Sequence, residues 1–350
     1  MKRLMKGNEA LAEAAIRAGI KCFFGYPITP QTEISAYLAR HLPEHGGVFL
    51  QAESETSAIN MVYGASGSGA RVMTSSSGPG LSLKQEGISA LAAADLPCVI
   101  VNVMRAAPGL GGIGPAQSDY FQAVKGGGHG DYHVLVFAPQ NVQEMAEMTV
   151  NAFNLADKWR MPAMILTDGV IGQMMETIDF DAVPEAVYCD KPWAANGKGE
   201  RTHHNIIKTL CLEAEELEKK LLSREEKYRE VEDTLQDWEE FMTDDAEIIV
   251  TAYGISARIA RAAIKSARKE GIAVGLIRPK TLYPFPKKAF ERNMKSVLCV
   301  EMSCGQMVED VRLAVDGKVP VKFYGRCGGM LVEEQEILEA IRRLHNADNI

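Results

Sequence analysis

The chain has 350 residues, 46% of them hydrophobic and 24% charged, with a formal net charge of −8. That length accommodates two domains with cores of their own, and the composition is that of a globular protein without disordered or fibrous bias. Its acidic balance and scattered Lys and Arg argue against sequence-independent nucleic-acid binding, which needs a basic surface.

Residues 1–19 carry early positive charge, but Glu9 and Glu13 interrupt any apolar core. The segment reads as an amphipathic helix and not as a signal peptide. The longest apolar stretches, such as residues 96–104, fall short of the ~20 residues a membrane span requires. A cytoplasmic protein is expected, with no membrane and no nucleic acid among its partners. The seven cysteines are odd in number and no two are two residues apart, so disulfide, zinc and iron–sulfur frameworks find no support.

Up to residue 190, KCFFGYP, GVFLQAE, RVMTSSSG, CVIVNVMR, HVLVFAP and PAMILTDG are strand-like, and most are separated by helical stretches. This alternation predicts a parallel sheet with helices on both faces. Ligands of such sheets gather at the carboxyl ends of the strands. Residues 178–202, with Pro184 and Pro192, read as an irregular connection. Residues 205–241 read as a charged helical arm, with Leu210, Leu217, Leu221, Tyr228, Val231, Leu235 and Trp238 at spacings of three, four or seven. A second α/β unit starts near Glu247 with EIIVTAYG, AVGLIRPKTL, SVLCVEMS and VKFYGR, and helices at 256–270 and 333–345. The expected division is 1–190, an arm over 191–245, and a smaller α/β domain over 246–350.

Several strand ends carry residues suited to chemistry. Gly25-Tyr26-Pro27-Ile28-Thr29-Pro30 follows the first strand. Two prolines fix φ there and make a rigid turn. Thr29 then either presents its hydroxyl to a ligand or caps the helix that begins near Gln31. Glu53 and Glu55 sit at a strand–helix junction, where a carboxylate either favours the helix dipole or, held in an apolar setting, serves proton transfer. Thr74-Ser75-Ser76-Ser77-Gly78-Pro79-Gly80 offers small residues where backbone can approach a flat ligand. It lacks the Gly-Lys-Ser/Thr ending of a phosphate loop. Arg105 leaves a buried strand and either receives a carboxylate ligand or pairs with Asp119 or Glu55. His129, in a Gly-rich loop, is either a catalytic group or, as a lone His there more often is, a surface or supporting residue.

In this order the segments resemble the α subunit of the 2-oxoacid:ferredoxin oxidoreductases. Residues 26–30 are similar to that family's YPITP signature, and 53–65 to its glutamate-bearing segment. Residues 74–80 are similar to its T-S-G-P-G-like loop, and the Arg105 loop with 117–119 to the segment that follows. The resemblance covers nearly the whole chain. It implies a thiamine-diphosphate pyrimidine-binding domain followed by a smaller transketolase-C-terminal-like α/β domain. It also implies that Glu55 bonds the cofactor's pyrimidine ring and so promotes loss of the thiazolium proton. Thr29 and Arg105 would contact the substrate's carboxylate and carbonyl region, with Tyr26, Pro27, Ser77 and Gly78 lining the cofactor. The members nearest in wording act on a branched-chain 2-oxo acid, 3-methyl-2-oxobutanoate; the alternatives are 2-oxoglutarate and a non-oxidative decarboxylase component.

The resemblance also implies a Gly-Asp-Gly segment with a later Asn for Mg²⁺-diphosphate. The chain has Asp168-Gly169 but no Gly-Asp-Gly, and no cluster-binding cysteine spacing. Mg²⁺-diphosphate and [4Fe–4S] clusters are therefore expected on partner chains. The implied partners are a β subunit, a γ subunit and a ferredoxin-like δ subunit, with ferredoxin as acceptor and coenzyme A as co-substrate.

Overall fold

The computed structural model describes residues 2–348. Its larger sheet has seven strands in the spatial order Thr281–Tyr283, Leu135–Phe137, Pro162–Asp168, Cys98–Met104, Val72–Ser76, Cys22–Gly25 and Val48–Gln51. The last six are mutually parallel, as the six apolar runs of the first 190 residues predict. Every residue of Cys98–Met104 and Pro162–Asp168 is buried. Helices cover both faces there, so these strands have no polar side to alternate with.

The second sheet is ordered Val321–Gly325, Ser296–Glu301, Ile248–Thr251, Val274–Pro279 and Trp238–Phe241, with only the last strand antiparallel. Helices Gly254–Lys269 and Glu334–Asp348 lie within a few residues of their expected positions. Among the described residues no helix is long and apolar enough to cross a membrane.

Three elements differ from the sequence reading. Lys2–Lys6 is a strand paired antiparallel with Met175–Asp179, so the amphipathic helix is shortened to Gly7–Arg17 and the connection after 175 begins as a strand. The arm is helical only over Ala214–Thr234. Its N-terminal part is irregular, and Trp238–Phe241 is an edge strand. Apolar residues at helical spacing carried the pattern past Thr234, although Trp and Phe suit a half-buried strand equally well.

The third difference matters most for the site. AVGLIRPKTL is two strands in two sheets: it leaves the second sheet at Pro279, and Thr281–Tyr283 adds antiparallel to Leu135–Phe137 of the first. The second unit thus closes an edge of the first. The buried Arg278 reinforces the seam, donating to Glu144 at 2.7 and 3.1 Å and to Glu239 at 2.8 Å. Gln117 does the same from the other side: its Nε2 donates to Tyr253 O at 2.8 Å, and its Oε1 accepts from Ser256 Oγ and Met302 N.

Candidate functional site

Four neighbouring strands, 98–104, 72–76, 22–25 and 48–51, run parallel and end on the same side of the sheet. Each delivers one of the candidate segments at its carboxyl end, as expected for a ligand site on such a sheet.

The turn after Cys22–Gly25 is pinned from below. Pro30 O accepts from Asn8 Nδ2 at 2.8 Å and Gln173 Nε2 at 3.3 Å, while the buried Gln31 accepts from Ser75 Oγ at 2.5 Å. Tyr26, Pro27 and Thr29 are exposed on top. The helix Thr32–His41 starts from Gln31 without a side-chain cap, so Thr29 does not have the capping role. Its carbonyl accepts from Arg105.

Glu53 and Glu55 separate cleanly. Glu53 is exposed, and hydrogen bonds from its own backbone N–H and the Ser57 hydroxyl hold its carboxyl below the usual range. It serves the helix start together with Ser54, whose Oγ accepts from Ser57 N at 3.1 Å. Glu55 opens the helix Glu55–Gly67 and is only 7% exposed. No described residue donates a hydrogen bond to its carboxylate, and its oxygens are not among the fully enclosed atoms left without a partner, so the carboxylate of this otherwise buried residue stays open to an outside donor.

The loop after Val72–Ser76 makes room for that carboxylate. A Cβ at Gly80 would lie 2.5 Å from Glu55 Oε1 and 2.4 Å from Ser76 Oγ. The hydroxyls of Ser76 and Ser77 are buried without a partner. Gly78, at φ +49, turns the chain into the helix Pro79–Ala93, and a Cβ there would meet Arg105 Nε at 3.1 Å.

Arg105 is buried, yet no carboxylate of the described residues lies within ion-pair distance of it. It donates instead to the carbonyls of Thr29 and Leu110, both at 3.0 Å, and its Nε is left without a partner. The expected alternative of an ion pair with Asp119 or Glu55 is thereby corrected. Asp119 accepts from Asn102 at 3.0 Å; burial pushes its carboxyl up, against the pull of Asn102 and the Arg105 charge. The loop beyond Arg105 is fixed by Ala106 N to Gly114 O at 2.8 Å and by Gly329 of the second unit packing on Gly114. Its tip exposes Leu110 (81%) and Ile113 (71%).

His129 is exposed and makes no hydrogen bond with the described residues. Asp168 caps the short helix Gly169–Gln173 through Val170 N and Ile171 N, and burial pushes its carboxyl up to about 6. Among the described residues no group of three or more His, Cys, Asp or Glu side chains is placed to hold a metal ion.

Sequence reasoning missed Lys84. Its side chain is fully buried, with Nζ donating to Thr74 Oγ1 at 2.5 Å. A signal was present: Leu81, Lys84, Ile88 and Leu91 form one helical stripe, with a cation in an apolar row.

A family model described as pyruvate flavodoxin/ferredoxin oxidoreductase, thiamine diphosphate-binding, matches residues 13–243. Another, pyruvate:ferredoxin oxidoreductase core domain II, matches 246–337. The ketoisovalerate oxidoreductase subunit VorB of Methanothermobacter thermautotrophicus is 51% identical over 346 residues, covering 98% of this chain and 97% of that one. The 2-oxoglutarate synthase subunit KorA of the same organism is 36% identical over 388 residues, covering 97% and 98%. Among solved structures, the 2-oxoglutarate:ferredoxin oxidoreductase from Magnetococcus marinus, with 2-oxoglutarate, coenzyme A and succinyl-CoA bound, superposes with a TM-score of 0.88 at 29% identity. That match covers 98% of this chain, which spans 65% of the solved chain. A split-gene transketolase, at 13% identity and a TM-score of 0.60, shares the fold.

Proposed function

This chain belongs to the pyruvate flavodoxin/ferredoxin oxidoreductase family, and from that premise we propose that it supplies the cofactor-activating half of a branched-chain 2-oxoacid:ferredoxin oxidoreductase. The complex would convert 3-methyl-2-oxobutanoate to an acyl-CoA and pass electrons to ferredoxin. The observation that carries the reading is Glu55: a largely buried residue whose carboxylate accepts from no described residue and stays open, beside Gly80 and the unpaired Ser76 hydroxyl.

That donor set fits one edge of the pyrimidine ring of thiamine diphosphate. When bound, the cofactor supplies an electron sink for decarboxylation. Glu55 would accept a hydrogen bond from the ring and hold the proton exchanged there. Ser77, with the Cβ-free Gly78, would line the ring, and Tyr26 and Pro27 would wall the opening. Thr29 would donate its hydroxyl to a substrate oxygen. Arg105, with its two terminal nitrogens held by carbonyls, would offer its remaining N–H donors, the unpaired Nε–H among them, to the substrate carboxylate.

The named relatives are subunits of multi-subunit enzymes. We assign Mg²⁺, the diphosphate site and the [4Fe–4S] clusters to β, γ and ferredoxin-like δ partners. Exposed Leu110 and Ile113 beside the recess support a covering partner chain. The branched-chain substrate is supported by 51% identity to the ketoisovalerate relative against 36% to the 2-oxoglutarate relative.

The test is Glu55→Gln in the reconstituted complex, assayed with a panel of 2-oxo acids. Turnover is expected to fall by about 10²–10⁴-fold, the usual worth of a proton-transfer group, with 3-methyl-2-oxobutanoate the preferred acid for the wild type. Full activity in the variant would overturn the assignment, and preference for 2-oxoglutarate would overturn the substrate.

A further inference from the structure

Below the recess lies a second layer of polar groups. On the helix Pro79–Ala93, Gly80 and Lys84 are four residues apart and share a face. On the strand Val72–Ser76, Thr74 and Ser76 are two apart and also share a face. Gly80 packs against both Ser76 Oγ and the Glu55 carboxylate, each within 2.5 Å of where its Cβ would sit. One step deeper, the Lys84 ammonium bonds Thr74 Oγ1 at 2.5 Å, with no exposed surface and no ion pair within 4.0 Å among the described residues. Burying a cation this way costs stability that an apolar side chain of the same length would not. Glu55 is the titratable group that acts on it; Thr74, on the facing strand, is neutral.

We propose that Lys84 is a positioning residue for Glu55: its ammonium, one helical turn beneath the recess, attracts the Glu55 carboxylate and keeps it aimed at the cofactor ring. This rests on the function proposed above. Burial lowers the Lys84 proton affinity to about 7, against the pull of the Glu55 charge. The support is therefore present below neutrality and fades as pH rises through about 7.

The test uses the reconstituted complex with Lys84→Met, Lys84→Arg and Glu55→Gln. Two readouts are taken between pH 6 and 9: thiamine diphosphate affinity by circular dichroism without 2-oxo acid, and kcat/KM for 3-methyl-2-oxobutanoate. Lys84→Met is expected to lose about 10- to 100-fold in kcat/KM with KM within about twofold, and to bind cofactor about tenfold more weakly at pH 6. Its cofactor affinity should no longer vary with pH. Lys84→Arg keeps a cation that does not titrate, so it should recover most of the loss and remove the alkaline decline. A purely structural role predicts the reverse, because Arg is the bulkier misfit. Wild-type cofactor affinity and pH dependence in Lys84→Met would overturn the proposal, as would equal losses in both lysine variants at unchanged melting temperature. If the Met variant does not assemble, the pH dependence of Lys84→Arg decides alone. An inactive Glu55→Gln with a wild-type-like Lys84→Met removes only the lysine proposal, whereas an active Glu55→Gln removes the functional reading itself.

Discussion

Gly80→Ala separates the site's geometry from the fold's stability. Gly80 is absent from the positive-φ glycines, so alanine fits its backbone without strain. Its methyl would start 2.5 Å from Glu55 Oε1 and 2.4 Å from Ser76 Oγ, where ordinary contact begins at 3.4 Å. The carboxylate oxygen must therefore retreat by about 0.9 Å. Both obstructing atoms are side-chain ends, so they yield before the backbone does. Overpacking costs about 1–3 kcal/mol, and alanine in a helix returns about 0.5–1 kcal/mol, leaving a net loss of about 2 kcal/mol or less. Function has no such relief, because a misplacement of about 1 Å in a reacting group costs about 10²-fold in rate. Thermal unfolding of the chain and turnover of the reconstituted complex measure the two effects separately. Activity within about threefold of wild type would show that the Glu55 carboxylate does not need its observed place, and the recess argument would fail.

Two further outcomes concern the scaffold. Asp168 has its carboxyl raised from the usual range to about 6 by burial. Its contribution to stability is full below the unfolded value near 3.8 and is lost as pH rises through about 6, by about 3 kcal/mol for a shift of about two units. Asp168→Asn keeps an acceptor for Val170 and Ile171 and should flatten urea midpoints between pH 4 and 7; pH curves parallel to wild type would refute this. Arg278→Met removes the ion-pair partner of Glu144 and one of the two of Glu239, which keeps Arg261, at the seam between the units. Both are partly exposed and regain some solvent, so a loss of about 2–3 kcal/mol is expected in urea unfolding. Adding Glu144→Gln should recover part of it, and an unchanged midpoint would refute the role of the seam.

The first sheet was legible because its central strands are buried on both faces and read as unbroken apolar runs. Edge elements were not. Lys2–Lys6 and Trp238–Phe241 are short, half-polar strands whose pairing partners lie far away in sequence, at Met175–Asp179 and in the strand Val274–Pro279. The crossing at Lys280 left no local mark, because residues 274–283 are apolar enough to pass for one strand. At the site, spacing placed Glu53 and Glu55 on an equal footing. The family resemblance singles out Glu55, and burial separates the two physically: Glu53 bonds Ser57 at the surface, while Glu55 enters the recess. For Arg105 the sequence left two readings open, a carboxylate ligand or an ion pair with Asp119 or Glu55. The ion pair is absent among the described residues because the fold turns two carbonyls toward the guanidinium, and carbonyls are invisible in a sequence.

The distribution of unmet hydrogen bonds bears on where this chain's half of the site ends. Ser76 Oγ, Ser77 Oγ, Asn102 Oδ1, Arg105 Nε, Thr167 Oγ1 and Asp168 Oδ2 are all buried without a partner, and all lie at or near the carboxyl ends of three adjacent strands. Each such group costs about 1–3 kcal/mol when nothing bonds it, so a folded protein carries few of them. Three of the six have a nameable setting. Asp168 Oδ2 faces Gly254, at 3.5 Å from the position of a Cβ there, and belongs to the seam between the two units. Ser76 Oγ lies beside Glu55, both within 2.5 Å of where a Cβ on Gly80 would sit, and Arg105 Nε faces Gly78, so an unspent hydroxyl and an unspent donor flank the glycine loop next to a carboxylate that accepts nothing from the described residues. A structural polar cluster would pair these groups with one another. Their separation across a glycine-lined recess is what a surface shaped for an outside molecule requires, and it confines that molecule to the span between Glu55 and Arg105.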